Sequence, residues 1–195
     1  MQYIALAGRV LIATVFLVSA STKLRNAAAF GAFRRSTRRM AILPERLVRP
    51  VAVLVVASEV AIVLLVATPT RITGLLGLGL AAALLAGLAA AIGSTVRRGI
   101  RTTCQCFGHS GMPLGIVHIV RNLALVAVAG VAAVAELRGG RLEPAGALLA
   151  ALAGVLLGAL VTVLDDIRQV LRPLPVPKTS AARQGNRQVS WRRST

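Results

Sequence analysis

The sequence predicts an all-α, polytopic membrane helical bundle with about five spans and a disordered basic C-terminal tail. Hydrophobic residues make up 56% of the chain and the mean hydropathy is +0.76, far above that of a soluble domain. Aromatic residues contribute only 3%, so the apolar content is Leu, Ala, Val and Ile, which suits helices that face lipid. Five separate apolar segments are long enough to cross a bilayer, which takes about 20 residues of helix each.

The predicted bundle occupies residues 1–171. Its spans lie at roughly 2–21, 51–70, 72–96, 116–135 and 145–164. The third and fifth spans contain no charged residue, whereas the others contain one each: Arg9, Glu59 and Arg121. The 18 glycines of the chain permit close approach between such helices.

Two segments outside the spans have their own patterns. Between the first and second spans, the stretch 27–33 predicts a short helix on the membrane surface, which ends near Pro44. The segment 172–195 is rich in Pro, Ser, Gln and Arg, and this composition predicts a disordered tail.

The charge distribution predicts the orientation of the chain. The net charge is +17, and 21 of the 23 basic residues are arginine. These arginines lie between apolar segments rather than on an amphipathic face, which argues against nucleic-acid binding and for contact with anionic lipid headgroups of the bilayer. With five spans, 18 basic residues fall on one side and three on the other. The positive-inside rule therefore places the N-terminus outside and the C-terminus in the cytoplasm, in what we expect to be a bacterial cytoplasmic membrane.

The only two cysteines, Cys104 and Cys106, lie one residue apart between the third and fourth spans. A disulfide across one residue closes a small, strained ring that is easily reduced, which suits thiol–disulfide exchange. The arginines just upstream and the helix that begins soon afterwards would favour the reactive thiolate. Two alternatives stay open: inert buried thiols, or a Cu(I) or Zn(II) site formed by Cys104, Cys106 and His109.

Ionisable groups within spans are costly and usually face a partner inside the bundle. Pairing of Glu59 with Arg9 or Arg121 is the natural expectation. Lys23 closes the first span, where it would support the site or simply anchor the helix at the interface.

The fourth span begins with a polar face. His118 and Asn122 lie four residues apart on one side of the predicted helix, and Arg121 is adjacent to them. His118 would accept a proton from a thiol, or His118 and Arg121 would bind a quinone. A structural role for these groups is an equal alternative.

Three pieces of the sequence, covering roughly residues 3–165, resemble the MauE family of the larger DoxX-like group. They are the segment 9–20 with the following Lys23 and Phe30, then Glu59, and finally Cys104-Gln105-Cys106-Phe107-Gly108 with His118 to Asn122. The resemblance implies a helical bundle related to DoxX, in which the two cysteines are the redox centre. It also implies thioredoxin-like partners and a link to disulfide formation in exported or cofactor-bearing proteins.

Together these observations predict a membrane thiol–disulfide oxidoreductase. Cys104 and Cys106 would exchange electrons with a thioredoxin-fold protein or a substrate thiol, and a quinone would take the electrons within the membrane. The alternative is a non-enzymatic membrane assembly factor, or a copper- or zinc-binding subunit, whose cysteines are structural or bind metal.

Overall fold

The computed structural model describes residues 1–40, 42–99, 116–140 and 143–170, with side chains up to Val163. This described part consists of six helices, with no strand among its residues. The helices are α1 (Gln2–Leu24), α2 (Ala27–Arg39), α3 (Glu45–Ala67), α4 (Arg71–Arg97), α5 (Ile116–Arg138) and α6 (Pro144–Val170).

Five of the six helices are long and apolar enough to cross a membrane. They are α1, α3, α4, α5 and the Pro144–Val163 part of α6, with lengths of 20 to 27 residues and mean hydropathies of 1.9 to 2.6. This confirms the predicted all-α bundle with five spans, and the protein is an integral membrane protein. The predicted tail at 172–195 lies outside the described residues.

The helix α3 begins earlier than the span that its apolar run predicted. The prediction starts at Val51, whereas α3 begins at Glu45 and includes Pro50 at its sixth residue. Pro44, in extended conformation, precedes the helix. Because proline lacks an N–H, the helix loses the one hydrogen bond that this residue would donate to the carbonyl four residues earlier.

The helix α2 is the predicted surface helix, and it is longer than the Ala-rich stretch that indicated it. Its start is capped by Asn26, whose side chain accepts a hydrogen bond of 2.7 Å from the backbone N–H of Ala29. Phe33 and Ser36 face inward and are buried, while its arginines are exposed. This amphipathic helix of 13 residues lies across the ends of α1 and α3, on which it packs.

The first helix is the centre of the bundle. It packs against α3, α5 and α6, and its most apolar window is half buried. Ile12, Val15 and Phe16 of α1 are fully buried in the main apolar cluster, with Ile62 of α3 and Leu85 of α4. In contrast, α6 packs only on α1 among the described helices and exposes most of its leucines up to Val163, as a lipid-facing helix does.

Successive spans run in opposite directions, so the connections between them lie alternately at the two ends of the bundle. The N-terminus, the α3–α4 link and the α5–α6 link lie at one end, which we call the N-terminal end. The helix α2, the end of α4, the start of α5 and the end of α6 lie at the other, which we call the α2 end.

The helices α1 and α5 approach each other most closely near the N-terminal end. A Cβ atom on Gly8 would lie 2.5 Å from the Cβ of Ala132, so only glycine fits there. This contact fixes which residues of the two antiparallel helices lie side by side.

Candidate functional site

Both cysteines fall outside the described residues, as does His109 of the alternative metal site. The structure does describe where the segment that carries them is attached. The helix α4 ends at Arg97, and Gly99 follows in the left-handed region, with φ of 69°. The chain re-enters the bundle at Ile116, the first residue of α5. Both attachment points lie at the α2 end.

A buried ion pair joins α1 to α3 in the half of the bundle near the α2 end. Lys23 Nζ forms an ion pair with Glu59 Oε1, and their residues are 3% and 1% exposed. Ser19, one turn before Lys23, is also buried. Its hydroxyl donates to Glu59 Oε1 at 2.9 Å and accepts from Lys23 Nζ at 2.8 Å. The three side chains form a closed hydrogen-bonded triangle without contact with solvent or lipid.

The predicted pairing of Glu59 with Arg9 or Arg121 is therefore wrong, because Lys23 is its partner. Lys23 is also not an interfacial anchor. Its long side chain turns into the bundle, and α2 covers it: Nζ lies 4.8 Å from the centre of the Phe33 ring, close enough for a cation–π interaction. Phe33 is itself buried against Ala52 and Val56 of α3.

The second carboxylate oxygen of Glu59 differs from the first. Oε2 is buried and has no hydrogen-bond partner among the residues that the structure describes. A buried polar atom without a partner is unfavourable by about 1–3 kcal/mol, so such atoms are rare unless they bind something or serve in chemistry. Oε2 is the acceptor in this cluster that is available to a proton or a ligand.

The predicted polar face of α5 is buried and points into the bundle. His118 and Asn122 are both buried, and Arg121 is half-buried beside them. The Arg121 guanidinium donates to the Asn122 side-chain oxygen, with Nη2 at 3.1 Å. These three residues are thus held in the first two turns after the cysteine segment.

The register of α1 and α5 places this face at the level of the triangle. Gly8 and Ala132 touch, and each residue of a helix advances about 1.5 Å along the axis. Asn122 precedes Ala132 by ten residues, toward the α2 end, so it lies level with about residue 18 of α1, one position before Ser19. By the same count, His118 lies level with about residue 22, one position before Lys23.

Arg9 belongs to a different place, near the N-terminal end. Its guanidinium donates to Val66 O from Nε at 3.0 Å and from Nη2 at 2.8 Å, to Thr68 O, and to Glu136 Oε1 at 3.3 Å. It caps the end of α3 and clamps it to α1 and α5. Because Arg9 and Lys23 are about 21 Å apart along α1, the structure does not bring Arg9 to the other predicted site residues.

Sequence reasoning missed three buried polar residues: Glu136 and Ser19 in these two clusters, and Thr95 in α4. Glu136 follows the predicted end of the fourth span by one residue, so it was not treated as a membrane group. Ser19 precedes Lys23 by one turn, a spacing that would have indicated a shared face. Thr95, fully buried near the end of α4, looks in sequence like any small residue of an apolar helix.

No group of three or more His, Cys, Asp or Glu that could bind a metal exists within the described ranges. Comparison with curated proteins and with solved structures yields no match. A family model, described as methylamine utilisation protein MauE, matches residues 1–135, which include α1 to α4, the cysteine segment and most of α5. This match covers more than two thirds of the chain and confirms the resemblance to MauE, so the chain belongs to the MauE family.

Proposed function

We propose that this MauE-family protein is a membrane thiol–disulfide oxidoreductase. In the exchange step, a substrate dithiol is oxidised to a disulfide while the Cys104–Cys106 disulfide is reduced, with transfer of two electrons and two protons. In the return step, the Cys104–Cys106 dithiol passes two electrons and two protons to a quinone, which becomes a quinol. The family description names methylamine utilisation, and we propose that the oxidised thiols belong to proteins that this process requires.

One observation carries the proposal: by helix register, the buried Lys23–Glu59–Ser19 triangle lies level with the polar face of α5, the helix that follows the cysteine segment. Glu59, Lys23 and Ser19 connect α1 and α3, Thr95 lies near the end of α4, and the polar face of α5 begins with His118. Burial of polar groups within a membrane is energetically unfavourable, so the buried polar groups that a membrane protein keeps usually serve its function. Gly99 and Ile116 attach the segment with both thiols to this same end.

Glu59 Oε2, the carboxylate oxygen outside the ion pair, is suited to accept a proton. In the return step the two protons of the dithiol must reach the quinone oxygens, and a buried acceptor inside the bundle can relay them one at a time. Glu59 Oε2 is a buried acceptor without a partner among the described residues, and Lys23 pairs with the other oxygen, Oε1. We assign Glu59 as the proton acceptor and Lys23 and Ser19 as the residues that position it.

The polar face of α5 suits the electron acceptor. Quinone carbonyl oxygens accept hydrogen bonds, and the half-buried Arg121 guanidinium is a fixed donor in the second turn of α5, held by Asn122. The His118 imidazole lies one turn closer to the cysteine segment. We assign Arg121 and His118 to quinone binding and Asn122 to holding Arg121 in place.

The charge bias supports one orientation of the bundle. The α2 end carries the arginine-rich helix α2 and the arginines at the end of α4, so we place it in the cytoplasm, with the N-terminus outside, in a bacterial cytoplasmic membrane. The thiols would then meet a thioredoxin-fold partner in the cytoplasm. A membrane-impermeant maleimide should label Cys104 and Cys106 only when the cytoplasmic face is accessible, and labelling from outside in intact cells would reverse this orientation.

The proposal is tested by oxidation of reduced thioredoxin, used as the probe, in vesicles that contain the full-length protein and a soluble quinone. The double variant Cys104→Ser, Cys106→Ser should reduce the rate to that of vesicles without the protein. Gln105→Ala is the matched control, since it changes the same segment but retains both thiols, and it should keep the activity. Full activity in the double serine variant would instead support the non-enzymatic assembly factor.

A further inference from the structure

A cleft lined by arginines lies between α2 and the first turns of α3. Its volume is about 210 Å³, and it is lined by Arg34, Arg35, Arg38, Glu45, Val48 and Arg49. Four arginines and one glutamate give it a net charge of +3. None of these residues belongs to the Lys23–Glu59–Ser19 triangle or to the polar face of α5.

The charge of the cleft is only partly balanced. Arg38 pairs with Glu45 at 3.0 Å, and both side chains are mostly exposed. Within the described residues, Arg34, Arg35 and Arg49 form no ion pair. Three guanidinium groups on two helices therefore face one small space, and planar guanidinium groups are the side chains best suited to bind phosphate oxygens in pairs.

The position of the cleft favours the phosphate of a lipid headgroup. Since α2 lies across the end of α1, the cleft lies at the depth of the lipid headgroups. Val53 and Val60 continue the helical face of Arg49 toward the bilayer core, and both are exposed, by 51% and 36%. A phosphate in the cleft thus has an apolar surface directly below it, on which acyl chains can lie.

We propose that this cleft is a specific binding site for one anionic phospholipid, such as phosphatidylglycerol, with its phosphate held by Arg34, Arg35 and Arg49. This goes beyond a general attraction of basic residues to the bilayer, because it depends on which arginines line the cleft. The bound lipid would also fix α2 against α3, and therefore hold Phe33 over Lys23.

The test is native mass spectrometry of the full-length protein in detergent, titrated with phosphatidylglycerol and with phosphatidylcholine. The cleft variant replaces Arg34, Arg35 and Arg49 with Gln. The control variant replaces Arg25, Arg39 and Arg46, which are exposed at the same end but do not line the cleft. The cleft variant should bind phosphatidylglycerol on the order of 100-fold more weakly than the wild type, since each arginine contributes roughly a factor of five. The control should change little.

Three outcomes would overturn the proposal. Equal weakening in both variants would show diffuse charge attraction, and unchanged binding in the cleft variant would remove the site. Displacement of the lipid by inorganic phosphate at similar concentration would identify a site for free phosphate. Should the triple variant not fold, the single variants Arg49→Gln and Arg46→Gln make the same comparison, with weaker binding expected only for Arg49→Gln.

Discussion

Two buried ion pairs lie at opposite halves of the central helix α1, and they are built differently. Arg9 pairs with Glu136 and also binds carbonyl oxygens of Val66 and Thr68, so it holds the end of α3 in place. Lys23 pairs with Glu59, one of whose oxygens has no partner in the described part of the chain. No buried side-chain atom of the first pair lacks a partner, whereas the second pair leaves an acceptor unused, so we infer a structural role for the first and propose a chemical role for the second.

The largest expected effect is the loss of stability when the first pair is broken. Arg9→Met leaves Glu136 as an unpaired buried charge and removes the donors to the end of α3. We expect a decrease of about 3–5 kcal/mol in the free energy of unfolding, measured by denaturation in detergent.

Arg71→Met is the matched control for that variant. Arg71 lies at the same end and also donates to a helix-end carbonyl, Leu137 O, but it is exposed. Its replacement should decrease stability by about 1 kcal/mol at most. Equal losses in the two variants would show that Arg9 is not a special clamp.

The second prediction separates function from stability at the other pair. Glu59→Gln retains an oxygen that accepts from Ser19 and Lys23 but removes the proton acceptor. The quinone-dependent oxidation of thioredoxin should slow by about 100-fold or more, as expected when a general base is lost. Stability should also fall, by about 3 kcal/mol, because Lys23 loses its counter-charge while Gln keeps the hydrogen-bond acceptor, so the rate is expressed per folded protein. If Glu59→Gln retained full activity, the assignment of the two roles would fail.

The smallest expected effect concerns the cover over the second pair. Phe33→Leu preserves apolar packing on α3 but removes the aromatic ring above Lys23, which should decrease stability by about 1 kcal/mol in the same denaturation assay. Phe30→Leu removes a ring from the same apolar cluster but leaves Phe33 in place, so it should have less effect. A larger loss for Phe30→Leu would argue against the cation–π contact.

The sequence predicted the five spans well because lipid demands long apolar segments, and that demand is visible in composition alone. It also indicated α2, since an Ala- and Phe-containing stretch between arginines is typical of a surface helix. The ends were less certain at Pro50, where the apolar run starts later than the helix.

The pairing of charges could not be predicted in the same way. Which acid meets which base depends on the rotation and register of neighbouring helices, and the close contact at Gly8 that fixes this register gives no sequence signal. The expected partner of Glu59 was a residue within a predicted span. Lys23 was discounted because it stands at a helix end, where lysine usually extends toward water.

The central claim is that Cys104 and Cys106 cycle between dithiol and disulfide and that a quinone accepts their electrons. The most direct measurement is alkylation of Cys104 and Cys106 in membranes after reduction, with and without an added quinone, read by mass shift. The account predicts that both thiols are alkylated before quinone is added and that both are protected afterwards. Thiols that react equally in both conditions would contradict it.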